Sequence, residues 1–283
     1  MLVTRFAPSP TGHLHLGHAF AAITAFDTAM EARGRFLLRI EDIDRARCRH
    51  DFEQAIFEDL RWLGLSWTTP VLRQSARADA YQAALERLDQ MGFTYPCFCT
   101  RKAIAEEIAR SAQAPHGPEG PLYPGTCRAL PPHVMRERMA VEPYALRLDV
   151  AKAAKHVGPL IFHEKGTGPK GESGVVIADP TGLGDIVLAR KQMPAAYHLA
   201  VVVDDADQGV TLVTRGNDLF SATPVQRLLQ TLLGLPAPTY AHHRLILDAN
   251  GKKFSKRDRS VTLHALREAG ETPQAIRARL DIR

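Results

Sequence analysis

The chain opens on two alternating rhythms. Residues 2–6 are a short apolar run that predicts a buried strand, and residues 36–40 are a second, ending in Glu41-Asp42. Between them Leu16, Ala19, Phe20, Ile23, Phe26 and Met30 recur every three or four positions, as one face of a helix does. Gly34 stands where a C-cap glycine belongs. Helical spacing returns over residues 51–63 and 78–91. Strand, helix, strand, helix is the pattern of a parallel sheet covered by helices. Later, residues 185–189, 209–214 and 244–247 read as strands, and Val201-Val202-Val203 as either a strand or a buried helix. Thr223-Pro224 reads as the N-cap and first position of a helix running to about Leu233. Residues 92–132 break the pattern with three cysteines and a Pro/Gly-rich stretch, which predicts an insertion with little core; residues 165–174 read as a surface loop.

Composition narrows the class more than the function. A chain of 283 residues, 45% hydrophobic and 24% charged, suits one large globular domain or about two ordinary ones. Charges interrupt every apolar run, so no membrane span is expected, and the N-terminus carries no secretory pattern. Cytoplasmic residence follows as the expectation. The net charge of +5 points weakly to a polyanionic partner, and four cysteines are too few for a disulfide scaffold.

Two segments carry candidate chemistry. The turn Ala7-Pro8-Ser9-Pro10-Thr11-Gly12, followed by His13-Leu14-His15-Leu16-Gly17-His18, lies between the first predicted strand and helix. A doubly wound fold binds phosphates there, because a helix N-terminus offers free N–H groups and a positive dipole end. His15 and His18 are three apart, so both rings can address one ligand, and Gly17 leaves room for a flat base or ribose. The second segment is Lys252-Lys253-Phe254-Ser255-Lys256-Arg257, with Gly251 as a flexible joint. Such a loop can lay an ammonium against a triphosphate in the transition state and then withdraw.

In this order the two segments resemble the paired HIGH and KMSKS motifs of class I aminoacyl-tRNA synthetases. Phe254 and Arg257 depart from the second motif, while both lysines and the serine stand. Residues 5–12, Arg39-Ile40-Glu41-Asp42 with Asp44, residues 201–205 and Arg215-Gly216-Asn217-Asp218 narrow the resemblance to the glutamyl-tRNA synthetases. It implies an α/β fold: a Rossmann-like parallel sheet with a zinc-containing insertion and a short helical C-terminal segment. Residues 1–91 and 133–240 would be the halves of a nucleotide-binding catalytic domain, 92–132 the insertion, and 241–283 the lysine loop and helical segment.

The implied chemistry is attack of the L-glutamate α-carboxylate on the α-phosphate of ATP, with Mg²⁺, releasing pyrophosphate. His15, His18 and Lys256 would be catalytic, neutralising charge on the phosphate oxygens; Pro8, Gly12, His15, Gly17, His18, Lys253 and Lys256 would hold ATP. Glutamate carries two carboxylates and one ammonium. Arg5 and Arg215 can make bidentate contacts with carboxylates and Glu41 can pair with the ammonium, all three at or just past predicted strand ends. The resemblance adds Ser9 and Tyr197 to this pocket.

Cys97 and Cys99 form a Cys-x-Cys pair, and Cys127 follows in the same segment. Three thiolates in a region short of core suggest structural zinc; three reduced free thiols are the alternative. Sequence alone leaves the fourth ligand open, with Cys48 remote and His116 available; the resemblance points to Tyr123. Only residues 258–283 follow the lysine segment, without the helical half that reads an anticodon in discriminating glutamyl-tRNA synthetases. Length and insertion together resemble the glutamyl-queuosine tRNA-Asp synthetases, which attach glutamate to the queuosine base. The expected partners are therefore L-glutamate, ATP and tRNA-Asp carrying queuosine, served by a monomer. Charging of tRNA-Glu by a minimal synthetase is the nearer alternative, disfavoured by the missing half. Small-molecule adenylyl transfer is the other; it would share the histidine turn but would not need the Arg5, Glu41 and Arg215 set.

Overall fold

In the computed structural model, which describes residues 1–110, 116–117, 120–191, 193–247 and 261–282, the first predicted strands are β1 (Val3–Phe6) and β2 (Arg35–Ile40), paired in parallel with Arg5 beside Leu37. β3 (Thr68–Arg73) adds in parallel on the far side of β2. The connecting helices are α1 (Leu16–Glu31) and α2 (His50–Trp62), and α3 (Ala78–Gln90) follows β3. Alternation along β2 covers both of its faces. Phe36, Leu38 and Ile40 enter a core shared with α1 and α2, whereas Leu37 enters a second core on the other face.

The chain then builds an antiparallel sheet. β4 (Thr94–Cys97) leads through α4 (Arg101–Arg110), the short pair β5 (His116–Gly117) and β6 (Gly120–Pro121), and α5 (Pro132–Val141) to β7 (Ala145–Leu148) and α6 (Val150–Val157). β8 (Leu160–Glu164), β9 (Gly174–Ala178) and β10 (Val187–Arg190) come next, and β10, β7 and β4 pair antiparallel in that order. Tyr95, Cys97 and Cys127 form a small core of their own here.

The rest of the described chain is α7 (Tyr197–Asp207), β11 (Leu212–Gly216), α8 (Thr223–Leu232), β12 (Thr239–His243), α9 (Leu263–Glu268) and α10 (Pro273–Arg279). β11, β12 and β8 are parallel and β9 closes the edge antiparallel. The Thr211 N–H donates to the Val3 carbonyl at 3.0 Å and the Val3 N–H to Thr211 Oγ1 at 2.9 Å. The two parallel sheets thus meet side by side in the order β3-β2-β1-β11-β12-β8. The strand order reverses at the β1–β11 seam, where open α/β sheets hold their ligands. Leu263, Leu266, Ile276 and Leu280 carry α9 and α10 back into the core of α1 and α2, and Arg277 clamps Asp27 at 2.7 and 2.9 Å. No helix among the described residues is long and apolar enough to cross a membrane.

Several sequence expectations shift. The ambiguous valines lie in a helix, α7, in which residues 199–205 are all buried. A helix covered on every side has no polar face and so no period to read. Gly34 is not the C-cap. Ala32 is, Arg33 takes the left-handed turn at φ 49°, and a side chain at Gly34 would strike the Leu2 carbonyl. The strand expected at 244–247 is β12, ending at His243, and the one expected at 209–214 starts at Leu212. Ala222, not Thr223, caps α8, and the Thr223 hydroxyl accepts from Arg215 instead.

Candidate active site

A cleft of about 420 Å³ opens at the C-terminal ends of β1, β2 and β11. Arg5, His15, Gly17, His18, Glu41, Tyr197 and Arg215 all reach its wall. Pro8, Ser9 and Gly12 lie in the turn leading to it but are not among its lining residues. Lys253 and Lys256 lie outside the described residues.

The two histidines are placed by the helix end. His15 is the N-cap of α1, and not inside it as the three-residue spacing suggests. Its Nδ1 accepts from the Gly17 N–H at 3.1 Å, while His18 Nδ1 accepts from the His15 N–H at 3.2 Å. This reciprocal arrangement is a capping box made with imidazoles, their ring centres 3.7 Å apart. An accepting Nδ1 bears no proton, so each ring is neutral and carries its proton on Nε2. Glycine at 17 serves His15 itself, because a Cβ there would sit 3.1 Å from His15 Cε1. The helix end thus gathers N–H donors and a positive dipole at one edge of the cleft, which is the chemistry of an anion site.

The charged residues are held in two different ways. Arg5 donates from Nε to Asp205 Oδ1 at 3.1 Å and from Nη1 to the Thr214 carbonyl at 3.2 Å. The same Asp205 oxygen accepts from Arg39 at 2.7 Å, and Arg39 also donates to Glu41 Oε1 at 3.2 Å. Burial pushes the Asp205 carboxyl up, but Arg5 and Arg39 outweigh it and hold it below its ordinary pKa. For Glu41 burial wins over Arg39 and Arg5, and its pKa is raised. A cation arriving in the cleft would favour the charged Glu41. Arg215 is different. Its three described side-chain hydrogen bonds go to His242 Nε2 at 3.0 Å, Gln226 Oε1 at 2.8 Å and Thr223 Oγ1 at 2.7 Å, none of them a carboxylate. A buried guanidinium so held favours an anionic ligand.

Away from this cleft, the sulfurs of Cys97, Cys99 and Cys127 lie within 4.8 Å of one another, the one such group among the described residues. Cys99 and Cys127 are 3.5 Å apart, and the Tyr123 hydroxyl is 3.7 Å from Cys99 Sγ while accepting the Cys127 N–H at 2.9 Å. Sulfurs bound at about 2.3 Å to one tetrahedral zinc stand roughly 3.8 Å apart, so this spacing fits. Burial opposes the Cys97 thiolate, yet hydrogen bonds from Tyr123 and Arg147 outweigh it and lower its pKa; burial and its neighbours push Cys99 up to about 11. Arg147 lies 3.9 Å over the Tyr123 ring, a nearby charge to balance thiolates. Cys48 is not part of the group, and the side chain of His116 lies outside the described residues.

Sequence reasoning did not pick out Arg39, Asp205, Glu164 or His242 as site residues. Arg39 and Asp205 did carry a signal, since a charge inside or closing an apolar run must be paired when it is buried. Glu164 and His242 carried none.

Residues 1–283 match the family profile described as tRNA synthetases class I (E and Q), catalytic domain. A Rhodobacter capsulatus protein named glutamyl-Q tRNA(Asp) synthetase is 52% identical, with 98% of each chain covered. The glutamate–tRNA ligase of Aquifex aeolicus is 38% identical over 96% of this chain but only 55% of its own length. The crystal structure of the glutamate-tRNA synthetase from Elizabethkingia anophelis superposes with a TM-score of 0.74 at 29% identity, covering 91% of this chain and 53% of that one.

Proposed function

The chain belongs to the class I tRNA synthetases (E and Q), and from that premise we propose that it activates L-glutamate with ATP and transfers it to the queuosine base of tRNA-Asp. The observation that carries the first step is one cleft holding Arg5, Arg215 and Glu41 at strand ends, next to the histidine-capped start of α1. Two guanidiniums and a carboxylate complement a ligand with two carboxylates and an ammonium. The relative matched end to end, named for tRNA-Asp, supports the second step.

Activation joins a glutamate carboxylate oxygen to the α-phosphorus as the bond to pyrophosphate breaks. Nothing in it needs a protein nucleophile; alignment and charge neutralisation suffice. Arg5 and Arg215 hold the carboxylates, Glu41 the ammonium, Tyr197 completes the pocket wall, and Ser9 would reach the ligand from the turn that leads to it. His15 and His18 donate from Nε2 to the phosphates beside Pro8, Gly12 and Gly17, and Lys253 and Lys256 bring ammonium charge from the lysine segment. ATP would bring Mg²⁺ with it, which when bound would supply further positive charge for the phosphates. The protein acts as a cytoplasmic monomer. L-glutamate should support ATP–pyrophosphate exchange; exchange driven by another amino acid and not by glutamate would contradict the reading.

Glu41→Gln should raise the KM for glutamate by about tenfold or more while leaving that for ATP within about twofold, since it removes the ammonium's counter-charge. Equal losses for both substrates would place the ammonium elsewhere. Aspartate should be a poor substrate, its carboxylates being one methylene too close to reach both arginines.

Cys97, Cys99, Cys127 and Tyr123 would hold a zinc ion that ties down the insertion at 92–132 and takes no part in activation. No described residue of that insertion lines the cleft. Purified protein should therefore carry about one zinc. Cys97→Ser and Cys127→Ser should lose it, keeping glutamate activation better than transfer to tRNA. Metal analysis of fresh protein with far less zinc, and all three thiols reacting freely, would remove the site.

A further inference from the structure

Behind Arg215 stands a pair of groups that no substrate would touch. His242 lies opposite Arg215 in the pairing of β11 with β12, and both of its ring nitrogens are engaged. Nε2 is 3.0 Å from Arg215 Nε, and Nδ1 is 2.6 Å from Glu164 Oε2 on β8. A guanidinium has only protons to give, so Nε2 must offer its lone pair. Burial pushes the Glu164 carboxyl up, but hydrogen bonds from the ring and backbone of His242 outweigh this and keep its pKa low. Glu164 is therefore a carboxylate that accepts, and the proton sits on Nδ1. The imidazole is fixed in one neutral tautomer.

The surroundings leave little freedom to change that. Glu164 Oε1 accepts the backbone N–H groups of His242 at 2.8 Å and Gly166 at 2.7 Å. A side chain at Gly166 would collide with the His242 carbonyl. Phe220 meets the imidazole edge-on at 4.9 Å and Tyr240 stacks on it at 6.0 Å. An arginine braced directly by a carboxylate, as Arg5 is by Asp205, has part of its charge already answered. Arg215 is braced by a lone pair whose carboxylate lies one ring behind, and no described hydrogen bond joins Glu164 to Arg215.

We propose that Glu164 and His242 are positioning residues for substrate recognition: together they aim the Arg215 guanidinium through a neutral acceptor and leave its charge to the carboxylate of the amino acid. The inference rests on the glutamate reading of the cleft. It makes the buried pair a determinant of glutamate affinity, although neither residue is among those lining the cleft.

Three variants test it in glutamate-dependent ATP–pyrophosphate exchange. His242→Asn keeps a donor near the Nδ1 position but loses the acceptor, whereas His242→Gln can place a carbonyl oxygen near the Nε2 position. His242→Asn should raise the glutamate KM at least about tenfold, with kcat and the KM for ATP within about twofold, and His242→Gln should recover most of the loss. Glu164→Gln should raise the glutamate KM without lowering kcat, because the tautomer is no longer enforced. Nitrogen-15 NMR of the wild-type protein should show His242 protonated at Nδ1 and bare at Nε2. Variants that weaken glutamate and ATP alike, an unchanged glutamate KM in His242→Asn, or an Nε2–H tautomer would each overturn the proposal while leaving glutamate activation intact. Wild-type protein that exchanges nothing with glutamate would instead overturn the reading of the cleft, and this inference with it.

Discussion

Arg215→Met should raise the glutamate KM in ATP–pyrophosphate exchange by on the order of a hundredfold or more, with ATP affinity unchanged. Removing one partner of a buried, hydrogen-bonded charge pair costs about 2–5 kcal/mol, which spans that range. Arg5 cannot compensate, since it shares Asp205 with Arg39. Arg215→Lys should be nearly as poor, because an ammonium cannot engage His242, Gln226 and Thr223 as the fork does and still face a carboxylate. Steady-state kinetics with each substrate varied in turn, alongside far-UV circular dichroism to establish folding, measures both. A folded Arg215→Met protein with an ordinary glutamate KM would remove this residue from the site.

Lys256→Ala should lower the rate of glutamate-dependent exchange at saturation by at least about two orders of magnitude while ATP binding is largely kept. A cation that approaches the phosphates only as charge develops contributes to the transition state and little to the ground state. His15 and His18 are fixed by the helix end and on this reading would meet ATP from the start, so their loss should weaken binding as well as rate. Isothermal titration with ATP beside exchange kinetics separates the two. Loss of ATP affinity with the saturated rate unchanged would make Lys256 a binding residue only.

The parts legible in the sequence were those with short-range signals. β1, α1 and β2 follow from apolar spacing, and the Pro/Gly-rich turn follows from its place between strand and helix. The thiol group was legible because Cys-x-Cys already pairs two thiols, leaving only Cys127 for the fold to bring in. Elements defined by tertiary contact were not. Helix α7 is buried throughout residues 199–205 and shows no period, and Gly34, whose N–H closes its own helix end on the Ala29 carbonyl, lacks room for a side chain because of the Leu2 carbonyl. Glu164 and His242, 78 residues apart, meet only because β8 pairs with β12. Arg5 and Arg215 read alike in the sequence, each near the end of an apolar strand. Their partners, a shared carboxylate for one and neutral acceptors for the other, exist only in the folded protein.

Transfer of labelled glutamate to tRNA-Asp prepared with and without queuosine tests the central claim most directly. Label should become attached to queuosine-containing tRNA-Asp, with none on the queuosine-free form or on tRNA-Glu. Equal labelling of both tRNA-Asp forms, or charging of tRNA-Glu in their place, would contradict it.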